Sequence, residues 1–352
     1  MQRSVSILLV ILLVARFASS FILPSNYANN AFRVMTKRKA TDDANALSTL
    51  STYTTIVADT GDISAIKAHS PTDATTNPSL IYKAALLPAY GKTVEEAVEK
   101  GKTLEGALDW LSCLIGKEIS ELVPGYVSTE VDARLSFDTD ATVAKARTLI
   151  SIYEQLGVPK SRILIKIAAT WEGIQACRVL EAEGVTCNLT LIFSLVQAAA
   201  CADAGATLIS PFVGRIMDWH KKASGVEGFE AKDDPGVKSV TRIYNYFKAR
   251  GITTICMGAS FRNAGEILEL CGCDRLTISP KLLTELEAMP SEGVVPHLSP
   301  TGCTKGPDVD TSEAGFRWAM NEDAMATEKL AEGIRGFARD LEKLEEVIKG
   351  KM

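Results

Sequence analysis

The chain reads as a single (β/α)8 barrel with an additional C-terminal helix, and three observations predict it. From residue 50 onward, short apolar or β-branched runs alternate with longer amphipathic stretches. Eight such runs can be counted, and no Pro/Gly/Ser-rich linker or low-complexity segment separates them. Strand–helix alternation implies a parallel sheet, and eight repeats of the unit close it into a barrel. A length of 352 residues, 46% of them hydrophobic, suits one such unit with a sizeable core.

The runs fall at residues 54–59, 73–76, 127–132 and 163–168, then at 186–193, 208–212, 253–257 and 275–278. Helical periodicity fills the gaps, for instance over 142–156 and 170–183. The second run is weak by hydrophobicity and is placed partly by the motif around it. After the eighth, Leu330, Ile334, Phe337, Leu341 and Leu344 recur at helical spacing. Such a face must be covered, most simply by the outside or the rim of the barrel.

The first 41 residues differ from the rest. Six of the 38 basic residues and none of the 43 acidic ones lie there, so the remainder carries a formal charge of −11. A body this acidic is a poor polyanion binder, which argues against nucleic acid as a partner. Arg3 followed by the apolar run 7–15, with Ala18 and Ser20 before Phe21, has the layout of a signal peptide over about residues 1–20. Residues 21–41, basic and acid-free, look like a transit segment, and the pair resembles the bipartite leaders of algae with secondary plastids. The expectation is a cleavable leader, a plastid location with secretion as the alternative, and one barrel domain over 42–352. The apolar run is shorter than the ~20 residues of a membrane span, so the mature protein is not expected to be membrane-bound.

Eight cysteines form no CxxC pair, and three histidines show no ligand spacing. Neither a disulfide framework nor a metal site is expected. Cys271-Gly-Cys273 reads as buried structure before it reads as a redox pair.

Polar residues at the strand ends carry the chemistry. Lys166 stands in the apolar run Ile163-Leu-Ile-Lys-Ile-Ala-Ala169, sharing a strand face with Leu164 and Ala168. Burial favours a neutral amine, and a neutral amine attacks carbonyls. In Ser128-Thr-Glu-Val-Asp132 alternation sets Glu130 and Asp132 on one face. Asp59 ends the first strand, Asn77 precedes Pro78 after the second, and Asn188 and Thr190 share a face of the fifth. Ser210 and Arg215 follow the sixth strand, and Ser260 and Arg262 the seventh. Arginines on late-strand loops occupy a frequent phosphate position of this fold, and a planar guanidinium suits phosphate oxygens.

These residues lie in motifs that resemble the transaldolase family. Asp73-Ala-Thr-Thr-Asn-Pro-Ser79 and Ile163-Leu-Ile-Lys-Ile-Ala-Ala-Thr-Trp-Glu-Gly173 look like its two signature segments. Val57–Asp62, Ser128–Arg134, Cys187–Thr190, Ile209–Arg215 and Gly258–Asn263 agree, and the likeness runs from about Leu47 to the C-terminus, in the manner of the long bacterial-type subfamily. One departure is Ala168-Ala169, where an Ala/Ser pairing is more usual.

The resemblance implies a TIM barrel that moves a dihydroxyacetone unit from sedoheptulose 7-phosphate to glyceraldehyde 3-phosphate, giving erythrose 4-phosphate and fructose 6-phosphate in the pentose phosphate pathway. It implies Lys166 as the Schiff-base lysine, with no cofactor and no metal. Asp59 matches the base at the C4 hydroxyl, and Glu130 the acid/base working through a water that Thr190 helps hold. Asn77, Asn188 and Ser210 match the residues on the dihydroxyacetone hydroxyls, with Thr75 in the same signature segment. Arg215, Arg262 and Ser260 match the phosphate group. Phe212, where a tyrosine would suit hydrolytic release, favours transfer. The reading allows a homodimer.

Overall fold

The computed structural model describes residues 44–352; the expected leader, 1–41, lies outside them. Ala44–Met352 form one compact unit. Its centre is a closed barrel of eight strands in sequence order: β1 (Thr55–Asp59), β2 (Asp73–Thr75), β3 (Val127–Glu130), β4 (Ile163–Ala168), β5 (Cys187–Ile192), β6 (Leu208–Pro211), β7 (Ile255–Gly258) and β8 (Arg275–Ile278). Every neighbouring pair is parallel, and β1 meets β8 through Ile56 opposite Leu276. All eight expected strands are present. The second is the shortest: Thr76 still donates its amide to the Ser128 carbonyl at 3.1 Å, and Asn77 then caps a helix.

Each strand is buried on both sides, as a sheet wrapped in helices requires. Ile163, Ile165 and Ile167 face the outer helices, within the large apolar cluster that holds most of the core. Leu164 faces inward and meets Val57, Leu208 and Met257 in a separate small cluster, with Tyr126 and Ile255 beside it. These side chains fill the middle of the barrel. The next inward residues towards the carboxyl ends, two positions on, are Asp59, Lys166, Ser210 and Ala259. At the opposite end of the barrel, Asp73 pairs with Arg275 and accepts from the Tyr126 amide at 2.7 Å, so β2, β3 and β8 are tied beneath the core.

The connecting helices begin where the sequence supplies caps. Asp138, Thr170 and Ser194 each accept a backbone amide of the first turn of their helices, 139–155, 171–182 and 195–203. The longest helix of the described residues, Ala324–Lys349, has 26 residues and spans about 39 Å. Ile334, Phe337 and Leu344 of the expected face are buried, while Leu330 and Leu341 are half-buried. The helix packs on β5 and on the helices Pro78–Ala85, Leu104–Ser120 and Val213–Ser224. Of the two places expected for it, the rim is the one it takes. Arg134–Glu345 at 2.8 Å and Trp219 Nε1–Glu328 at 2.7 Å fasten it on either side.

Candidate active site

Register explains why the central polar residues meet. Glu130 pairs with Lys166 across β3 and β4, and Lys166 pairs with Asn188 across β4 and β5. In-register neighbours on parallel strands lie about 4.8 Å apart and point the same way. Three inward positions therefore form one row.

Lys166 is 4% exposed. Its Nζ donates to the Thr76 carbonyl at 3.2 Å and sits 3.3 Å from Glu130 Oε2. The Glu130 side chain is 3% exposed, and that oxygen has no aligned hydrogen-bond donor among the described residues. Burial pushes the Glu130 carboxyl above its ordinary range, and the Lys166 charge pulls the other way. Asp59 behaves alike: burial raises it, while Lys166 and a bond from Thr75 Oγ1 at 3.0 Å oppose the rise. Thr75 also meets Thr277 Oγ1 at 2.8 Å, so the Asp59 carboxylate is held from the far side. Two acids with different neighbours flank one amine, which is the raw material for separate proton-transfer roles.

Asn188 is fully buried and oriented from both ends: its Nδ2 donates to Ser128 Oγ at 3.1 Å, and its Oδ1 accepts from Ser210 Oγ at 2.7 Å. The Thr190 hydroxyl is buried and has no hydrogen-bond partner among the described residues. Asn77 caps the helix that follows it, accepting the Leu80 amide at 3.0 Å through Oδ1. Just after Thr190, Leu191 adopts φ +58, and the β5–β6 register shifts there. Leucine in the left-handed region costs about 1–2 kcal/mol. Gln197, fully buried, offsets it by donating to the Leu191 carbonyl at 3.1 Å and the Ala169 carbonyl at 2.9 Å, while accepting from the Phe193 amide at 2.9 Å.

The arginines lie one step further out. Val213 and Gly214 donate their amides to the Ala259 and Ser260 carbonyls at 2.8 and 3.0 Å, docking the start of one helix on the turn after β7. A Cβ on Gly214 would stand 2.5 Å from the Ser260 carbonyl oxygen, so the approach requires glycine. Arg215 then lies against the Phe212 ring at 4.9 Å and the Phe337 ring at 5.5 Å. Burial, and next the charge of Arg262, hold its guanidinium below the ordinary value. Arg262 is exposed, pairs with Asp218 at 2.7 Å, and donates to Ser260 Oγ at 3.3 Å. Ser260 itself has φ +64, the turn that folds Arg262 back.

Asp59, Thr75, Asn77, Lys166, Ser210, Phe212, Arg215 and Ser260 line one small cavity of about 50 Å³ with Thr277 and Phe337. A larger one, about 390 Å³, reaches Glu130 and Asn77 from the side of Asp109, Lys145 and Glu345. Of the residues expected at the site, Asn188, Thr190 and Arg262 line neither cavity: Asn188 and Thr190 are buried in β5, and Arg262 is exposed further out. Asp132 is the correction. β3 ends at Glu130, and Asp132 caps the next turn and binds Arg134 at 2.7 Å, lining only the larger cavity. Strand reading missed two site residues, Thr277 in β8 and Phe337, whose ring lies 6.0 Å from Lys166 Nζ. The helical spacing of Phe337 is visible in the sequence, but not what that face covers.

Cys177, Glu181 and Cys187 converge within 4.8 Å. The Glu181 carboxylate, however, already accepts from the Cys187 and Thr207 amides and the Thr207 hydroxyl. Cys271 and Cys273 are wholly buried, and burial pushes the Cys271 thiol up to about 11, away from the reactive thiolate. No helix of the described residues is long and apolar enough to cross a membrane.

Fold and site together define a barrel enzyme built around a buried amine, the class in which lysine forms an imine with a carbonyl substrate. The profile of the Transaldolase/Fructose-6-phosphate aldolase family matches residues 56–348. A transaldolase of Alteromonas mediterranea is 59% identical over 317 residues, covering 88% of this chain and 99% of that protein. One of Shewanella amazonensis gives the same figures, and one of a Marinomonas species is 58% identical over 318 residues, 88% of this chain and all of its own length. The chain belongs to the transaldolase/fructose-6-phosphate aldolase family; it is a transferase with transaldolase function, acting on sugar phosphates through a Schiff base. The plastid location expected from the leader is corrected: the matching relatives are proteins of bacteria, which have no plastids, and nothing in them supports a transit segment.

Proposed function

We propose that Lys166, Glu130 and Asp59 divide the chemistry of dihydroxyacetone transfer from sedoheptulose 7-phosphate to glyceraldehyde 3-phosphate. The Lys166 amine adds to the C2 carbonyl of the donor, and the carbinolamine loses its oxygen as water with a proton delivered from Glu130. The imine then accepts the electron pair of the C3–C4 bond as Asp59 takes the C4 hydroxyl proton. The departing aldehyde is erythrose 4-phosphate, and an enamine stays on Lys166. That enamine attacks glyceraldehyde 3-phosphate, Asp59 returns its proton to the new hydroxyl, and water releases fructose 6-phosphate.

The observation that carries this reading is the contact of 3.3 Å between Lys166 Nζ and Glu130 Oε2 in a site where both side chains are at most 5% exposed. Thr190, with its unpartnered buried hydroxyl, supports a water position beside Glu130. Asn77, Asn188, Ser210 and Thr75 offer polar groups to the hydroxyls of the dihydroxyacetone unit. Arg215, Arg262 and Ser260 offer cations and a hydroxyl to the phosphate. Phe212 fills the place beside Arg215 with an apolar ring, which favours transfer to an aldehyde over release to water.

Borohydride trapping of the purified protein with fructose 6-phosphate, followed by peptide mass mapping, tests the assignment. A reduced dihydroxyacetone adduct on Lys166 is expected. A folded protein that binds the sugar phosphate but carries no adduct there would refute it.

A further inference from the structure

Behind Arg262 lie two acids that the chemistry above does not use. Glu266 is wholly buried and Asp234 is 2% exposed. Glu266 sits in the first turn of the helix Ala264–Glu269, and its Oε2 accepts the Arg262 amide at 2.7 Å. Asp234 caps the helix Pro235–Ala249, accepting the Gly236 and Val237 amides at 2.6 and 3.3 Å. The two carboxyls are within hydrogen-bonding reach of each other. Glu266 Oε1 finds no N–H or O–H donor among the described residues while both acids are charged. Two buried carboxylates in contact cannot both stay ionised cheaply, and one proton shared between them satisfies the orphaned oxygen.

The pair stands at a joint. Glu266 holds the backbone of Arg262. Asp234 holds the first turn of a helix whose Gly236 is pressed on the Val213 carbonyl, where a Cβ would come within 2.2 Å. Val213 begins the helix that carries Arg215. One shared proton thus links the segments bearing both arginines.

We propose that Glu266 and Asp234, sharing one proton, are positioning residues that set the geometry of the phosphate-binding arginines and hence the affinity for sugar phosphate. The inference rests on the reading of Arg215 and Arg262 as the phosphate site. Glu266 is not a catalytic residue, since it acts only through the Arg262 turn. A plain first-turn acid would be solvated and charged; this one faces another acid in a dry place. Burial, with the Asp234 charge adding to it, pushes Glu266 up to about 7. The charged groups around the pair are few. Arg262 lowers Glu266, and Asp218 raises Asp234. Lys232 and Asp233 on the turn beside it are exposed, as are Lys281, Glu285 and Glu287 on the helix Pro280–Ala288 packed behind. Above neutrality the pair loses its proton, the carboxylates repel, and the Arg262 turn is the part free to yield.

The test compares the wild type with Glu266→Gln and Asp234→Asn from pH 6 to pH 9. The readouts are KM and kcat for fructose 6-phosphate and competitive inhibition by inorganic phosphate. Gln keeps an acceptor for the Arg262 amide and donates to Asp234, so it mimics the protonated acid at every pH. The ratio of wild-type to Glu266→Gln KM is expected to rise by about tenfold across the range, the scale of one pKa unit of coupling, while kcat stays equal. Asp234→Asn, whose amide donates to Glu266, should flatten the profile too. Because phosphate titrates identically for all proteins, the ratio isolates the pair. A ratio that stays constant with pH overturns the proposal even if Lys166 is still trapped by borohydride. Failure of inorganic phosphate to compete in the wild type overturns the phosphate reading and this inference with it.

Discussion

The Phe337 ring centroid stands 6.0 Å from Lys166 Nζ and 5.5 Å from the Arg215 guanidinium, although its helix is the last element of the chain. One apolar ring thus shields the amine on one side and supports the outer cation on the other. Phe337→Ala should cost about 3–5 kcal/mol of stability, as large-to-small core changes do. It should also admit water to the enamine. Free dihydroxyacetone released from fructose 6-phosphate without an acceptor aldehyde is the quantity to measure, and it should rise. Unchanged release would show that the ring does not guard the site.

Asp59 carries a carboxyl raised by burial, so the native state keeps a proton that the unfolded chain has already lost over the interval between the two pKa values. Its contribution to stability is therefore greatest at low pH and falls as pH rises through the folded-state value. Thermal unfolding of wild type and Asp59→Asn from pH 4 to pH 8 should diverge, with the variant gaining on the wild type as pH increases. In the same variant kcat should drop by about 10²–10⁴, the range for a lost general base. Melting temperatures that run parallel across the pH range would contradict that sign.

Asp73 opens the family's first signature segment yet lies at the far end of the barrel, tied to Arg275 and the Tyr126 amide. Removing one member of a buried pair strands the other. Asp73→Ala is expected to lose about 3–5 kcal/mol in urea unfolding while the folded fraction keeps full borohydride trapping at Lys166. Lost trapping with unchanged stability would move Asp73 into the chemistry.

Gln197 satisfies the carbonyl of the left-handed Leu191 and the Phe193 amide just after it. Gln197→Leu matches its bulk but leaves the Leu191 and Ala169 carbonyls and the Phe193 amide without it, at about 1–3 kcal/mol for each group that stays unpaired. Hydrogen exchange at the Phe193 amide is the direct reading. Retained protection there would mean another group supplies the bond.

The barrel itself is legible because eight apolar runs at the right spacing admit little else, and Lys166 stands out as a charge in one of them. Asp132 is misplaced by alternation carried two residues too far: a strand ends where a side chain finds its own backbone to cap, and Asp132 finds the Arg134 amide at 2.8 Å. The Glu266–Asp234 pair leaves no trace in spacing, since Asp234 alone looks like an ordinary helix cap and Glu266 like an ordinary first-turn acid. Phe337 is visible as a member of an apolar face, but the sequence does not say which end of a barrel a terminal helix will cross. The row Glu130–Lys166–Asn188 needs strand register, which only the folded ladder supplies.

Val57, Leu164, Leu208 and Met257 close the barrel beneath Lys166. With that floor sealed, nothing bound at the amine can leave downwards. Erythrose 4-phosphate must depart from the carboxyl end, where both cavities at the site lie. The covalent tether is what keeps the three-carbon fragment from following it out. With the floor closed and the fragment tethered, a double-displacement order with parallel reciprocal plots is the expected kinetic signature.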